Sequence, residues 1–173
     1  MNLLAEVQRE HSKAVCDRIV RYVGGRPDRF RELIAIFLAG PYRVTQRASW
    51  PISCCIEHHP ELIQPHLSRL LTYLRRPGLH DAVKRNIVRL MQFIRIPSRL
   101  QGKAADVCFR FLQDTSEPTA VRCFSMTVLG NLAKEQPGLA TELKIIIDDI
   151  MPYATSGMAA RARRTLKSLG ARH

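Results

Sequence analysis

The 173-residue sequence predicts an all-α fold of stacked helical hairpins. Three observations lead there. Pro27, Pro41, Pro60, Pro77, Pro97, Pro118 and Pro137 punctuate the chain at spacings of about 14 to 21 residues. Proline cannot continue a helix interior and disfavours helix in the residue before it. The segments between these prolines have helical periodicity, with no sustained alternation of the kind that builds strands. The pattern also recurs with a period of about 38 residues, within the range of structural repeats. Leu67, Leu70, Leu71 and Leu74 form an i, i+3, i+4, i+7 stripe. Adding 38 gives Ala105, Cys108, Phe109 and Leu112, and adding 38 again gives Leu143, Ile146, Ile147 and Ile150. All twelve are apolar or thiol.

The elements follow in order. A first helix over 2–23 ends at Gly24-Gly25-Arg26-Pro27, and a second runs over 28–39. The third, 42–59, contains Trp50-Pro51, where a kink or break is expected. Helices over 61–75, 80–95, 99–113, 118–135, 138–152 and 157–169 complete a set of nine. Ile52, Leu90, Val128 and Leu166 are in register on the first helix of successive pairs, as are Ile56, Ile94 and Leu132. The turns echo each other as His59-Pro60-Glu61-Leu62, Ile96-Pro97-Ser98-Arg99-Leu100 and Gln136-Pro137-Gly138-Leu139. The expected units are a short one at about 1–41, then 42–79, 80–116 and 117–154, and a single terminal helix over 155–173, all in one domain.

A hairpin with one apolar stripe per helix cannot bury both stripes alone, so neighbouring units complete each other's cores. In period, helix pairing and apolar register the chain resembles the HEAT-repeat family, and more loosely the armadillo family, over about residues 12–169. The turns lack a regular Asp and the second helices a regular Arg, which marks a divergent member. The resemblance implies a right-handed α-α superhelix whose second helices line a concave binding surface.

Composition limits the function. Lys and Arg total 27 against 15 Asp and Glu, a net charge of +12, and 21 of the 27 are Arg. Such a balance permits nucleic acid, an acidic protein or an anionic membrane surface as partner. Hydrophobic residues make up 46%, too many for a disordered basic tail. Cys16, Cys54, Cys55, Cys108 and Cys123 form no CxxC, and four of them fall in apolar helical stretches, where a thiol acts as a small hydrophobe. The expected state is reduced and cytoplasmic, with no membrane insertion. No glycine-rich phosphate loop, nucleophile elbow or HExxH occurs, so no enzyme and no cofactor is expected. His58, His59 and His66 lie near Glu57 and Glu61, but adjacent helical residues diverge by about 100°, so no metal site is expected. Trp50 reads as an inter-helix packing residue.

Two surfaces remain. Opposite the second-helix stripes stand Arg69, Thr72, Tyr73 and Arg76, then Val107, Arg110, Phe111 and Asp114, then Ile145, Asp148, Asp149 and Pro152. This series runs from basic to acidic and mixes aromatic with charged groups, which suits a protein or peptide better than a phosphate backbone. The expected partner-binding residues are Arg69, Tyr73, Arg76, Arg110 and Phe111. The alternative is a nucleic-acid surface on the first helices. There Arg47, Arg85 and Arg161 share a repeat position, with Arg89 and Arg164 beside them. The segment after Asp149 adds Arg163, Lys167 and Arg172 without an acid. The expectation is therefore a helical-repeat scaffold that binds a protein, with nucleic acid as the alternative partner.

Overall fold

The computed structural model describes residues 1–170 and is all-α, with no strand among them. Ten α-helices run in order: α1 (Leu3–Arg9), α2 (Lys13–Val23), α3 (Pro27–Ala39), α4 (Tyr42–His58), α5 (Leu67–Tyr73), α6 (Asp81–Leu90), α7 (Ser98–Gln113), α8 (Thr119–Ala133), α9 (Pro137–Ile150) and α10 (Ser156–Gly170). Short 3-10 turns at Pro60–Ile63, Met91–Phe93 and Met151–Tyr153 tighten helix ends expected to be α-helical. The chain forms two compact units, Met1–Ile94 and the remainder from Arg95. The division falls between α6 and α7, inside the segment expected as the 80–116 repeat.

In the first unit the first helices of successive repeats, α2, α4 and α6, stack side by side, and α3 packs on α4. The expected single helix over 2–23 is two helices. Glu10 and Ser12 are extended, and the Ser12 hydroxyl caps α2 by accepting from the Val15 amide. The break folds α1 back onto α2, α3 and α4, burying Leu3 and Val7 and pairing Glu6 with Arg18 Nε at 2.7 Å. One continuous helix would carry those apolar side chains away from the core. Side-chain burial on this scale contributes about 1.5–3 kcal/mol per large aliphatic residue. Gly24 closes α2 at φ +50°, a backbone region that favours glycine.

Of the kink or break expected at Pro51 there is no break: α4 continues through it as one helix. Ala48, Ile52, Cys55 and Ile56 are fully buried on both sides of the proline, and the packing of that face outweighs one lost backbone bond. Polar contacts reinforce the stack of first helices. Asn86 Nδ2 donates to Ser49 Oγ at 2.9 Å, and Ser49 in turn donates to the Gln46 carbonyl at 2.7 Å.

In the second unit α8 is central, packed by α7, α9 and α10. Gly130 lets α8 and α10 approach closely, since a Cβ there would stand 2.9 Å from Thr165 Cγ2. Ser125, on α8, is buried with no hydrogen-bond partner beyond a weak contact with the Cys108 thiol. It stands two repeats after Ser49, but the position that answers Asn86 is Ala162, whose side chain has nothing to donate.

Candidate functional site

The second helices border an open recess in each unit. In the first unit Tyr73 closes α5 and is half-buried. Its ring meets Phe37 of α3 at 5.0 Å, and the Arg76 guanidinium lies 4.5 Å from its centre. Just before α5, His66 meets Phe30 at 5.7 Å. Burial, with Arg69 and Arg31 nearby, holds the His66 imidazole below its ordinary value of 6.5. These contacts close most of the seam between α3 and α5. What stays open is a recess of about 210 Å³ beside Tyr73, lined also by Gly40, Tyr42, Thr45, Leu79 and His80. The Tyr42 ring meets that of His80 at 5.6 Å in a tilted arrangement and is largely exposed. Arg69 and Arg76 are exposed, as the helical pattern predicts.

In the second unit Gln113, Thr115, Arg122, Ile146, Asp149, Ile150 and Tyr153 line a cavity of about 350 Å³. It stands among the end of α7, the start of α8 and the last turns of α9. Tyr153 is 90% exposed and Ile145 is 59% exposed, the most accessible large apolar side chains among the described residues of this unit. Ile146 and Ile150 remain half-buried, whereas the equivalent Leu70 and Leu74, and Cys108 and Leu112, are buried. One contributing difference is legible in the repeat register. Tyr73 is answered one repeat on by Phe111 and two repeats on by Asp149, and a short carboxylate does not fill the space an aromatic ring takes. Arg122 Nε donates to the Leu112 carbonyl at 3.0 Å, fixing one wall.

Phe111 does not present its ring as expected, being only 4% exposed. α7 buries Ala104, Ala105, Val107, Cys108, Phe109, Phe111 and Leu112, so its open face narrows to a strip through Arg99, Gly102, Asp106, Arg110 and Gln113. Arg110 is exposed with its guanidinium 5.2 Å from the Phe111 ring centre. Sequence reasoning missed Tyr42, His80 and Arg122, as well as Ile150 and Tyr153. Tyr42 and Tyr153 each follow a proline at a helix boundary.

A family model described as a HEAT repeat domain matches residues 3–169. The chain belongs to the HEAT repeat domain family. No curated protein and no solved structure matches it.

The first helices of this HEAT repeat chain use several of their arginines internally. Arg47 donates to the Gln8 carbonyl at 2.6 Å. Arg89 donates to Ser53 Oγ at 3.0 Å and to Glu57 at 2.6 Å, and packs on the Phe93 ring. Arg161 donates to Thr127 Oγ at 2.7 Å. Three of the five arginines expected on a basic surface thus brace neighbouring helices. Arg85 and Arg164 are exposed, as are Arg163 and Lys167. Arg172 lies outside the described residues.

His58 and His59 are separated from buried His66, and among the described residues no group of three or more His, Cys, Asp or Glu could hold a metal ion. Trp50 is half-buried, its ring 5.4 Å from His11. No helix among the described residues is long and apolar enough to cross a membrane.

Proposed function

We propose that this HEAT repeat chain is a non-enzymatic, cytoplasmic scaffold that binds a protein partner through its second helices. The observation that carries the reading is the cavity at the α7–α9 seam. It joins an apolar floor of Ile146 and Ile150, an exposed Tyr153 and two opposite charges, Arg122 and Asp149. An apolar pocket with a polar rim is the form that seats an anchoring side chain of a protein partner. Arg69, Tyr73 and Arg76 offer a second, more basic contact surface in the first unit, and Arg110 adds to the surface of the second.

Two measurements made together test this. A photo-crosslinking residue at position 153 captures the partner, and titration calorimetry then measures its affinity for the wild type and for Tyr153→Ala. A loss of tenfold or more is expected, corresponding to about 1.4 kcal/mol. In parallel, duplex and single-stranded oligonucleotides are titrated at several salt concentrations. Weak binding with little dependence on those surfaces is expected. Tight binding with log K falling steeply against log salt, weakened by Arg85→Glu with Arg164→Glu, would contradict the reading and favour nucleic acid.

A further inference from the structure

Among the five cysteines, Cys54 on α4 is the one that is not buried. Its Sγ lies 4.0 Å from Sγ of Cys16 on α2, which is buried. The pair arises from the repeat itself. The two residues are 38 positions apart, and α2 and α4 stack so that equivalent positions meet. Cys16 donates to Cys54, and the Arg89 guanidinium lies close enough to favour negative charge there, opposed by Glu57 and Asp17. These contacts hold the Cys54 thiol below its ordinary range and push that of Cys16 above it. Cys54 is the accessible member of the pair and Cys16 the buried one, the arrangement that separates an attacking thiol from a resolving thiol. Cys55 and Cys108 are fully buried in apolar surroundings that push their thiols up to about 12.

We propose that Cys54 and Cys16 form an oxidation site that takes a hydroperoxide as substrate and closes to a reversible disulfide across α2 and α4. The Cys54 thiolate attacks one peroxide oxygen. The O–O bond breaks, Cys54 becomes a sulfenic acid, and the departing hydroxide or alkoxide takes up the proton that Cys54 had released. The Cys16 thiol then attacks the oxidised sulfur. The S–O bond breaks, the S–S bond forms and water leaves with the Cys16 proton. The sulfurs move from 4.0 Å to a bond of about 2.05 Å. A dithiol reverses the reaction by exchange. Because the link spans a long loop of the unfolded chain, the oxidised protein should melt at a higher temperature than the reduced one.

The test treats the folded, reduced chain with one equivalent of hydrogen peroxide, alkylates the remaining thiols and maps peptides by mass spectrometry. The expected product joins Cys16 to Cys54 with loss of two hydrogens and is restored by dithiothreitol. It should form equally in Cys55→Ala. In Cys16→Ser, dimedone should trap the sulfenic acid at Cys54. Should that variant fold poorly, brief iodoacetamide treatment of the wild type should modify Cys54 first and prevent the link. A link through Cys55, oxidation of Cys54 to sulfinic acid with Cys16 still free, or modification of all five thiols at similar rates would overturn the proposal.

Discussion

Between α3 and α5, Phe37 meets Tyr73 at 5.0 Å and Phe30 meets His66 at 5.7 Å, so rings fill most of the seam of the first unit and leave a smaller recess of about 210 Å³ beside Tyr73. At the α7–α9 seam of the second unit, Asp149 stands at the repeat position of Tyr73, and a cavity of about 350 Å³ is open beside it. Both units build second helices from the same apolar stripe. The stripe fixes where the helices run, and the flanking position decides whether the seam between them closes. A repeat fold can therefore leave a cavity at a seam where the flanking positions lack aromatic rings.

Removing the filling of the closed seam should have the largest effect. Phe37→Ala removes a fully buried ring and should cost about 3–5 kcal/mol in chemical denaturation. A loss below about 1 kcal/mol would mean that the seam collapses readily and that the contrast between the units is not one of packing. Next comes the buried serine pair. Ser49→Ala strands the Asn86 amide and should cost about 1–3 kcal/mol. Ser125→Ala removes a hydroxyl whose only neighbour of this kind is a weak thiol, and it should be neutral or stabilising. Equal losses at the two positions would break the comparison.

Asp149→Tyr should convert the open seam towards the closed form. A gain of about 1 kcal/mol in stability is expected from the added burial, read from the denaturation midpoint. The smallest effect is a pH dependence. Burial lowers the His66 pKa in the folded chain, so the unfolded chain takes up its proton first as pH falls. The stability contribution is present above the ordinary value of 6.5 and is lost as pH falls below it through the folded value. His66→Phe should remove this part of the acid sensitivity, while an unchanged pH profile would show that His66 is solvated.

Much of the fold was legible because the repeat register is a packing constraint. Ten of the twelve stripe positions are buried, and the two that are not, Ile146 and Ile150, line the cavity. The α1–α2 break was missed because periodicity continues across it, while Ser12 caps α2 and ends that continuity locally. The site was less legible. Arg69 and Arg76 are exposed as read, but a helical wheel treats Phe111 as surface because it assigns each helix one apolar face, and α7 buries more than one. The first-helix arginines stand along their helices where the register puts them. What the pattern could not give was their reach, which lets Arg47, Arg89 and Arg161 bridge to neighbouring helices. The turn towards acidic residues at Asp148 and Asp149 was visible as charge, and its consequence as missing volume emerges only from the packed seam.

The most direct measurement is the affinity of the partner captured at position 153 for Asp149→Tyr beside the wild type. Loss of at least tenfold in affinity with equal or greater thermal stability is the result expected if the open seam is the binding surface. Undiminished affinity in a variant whose seam has closed would contradict it.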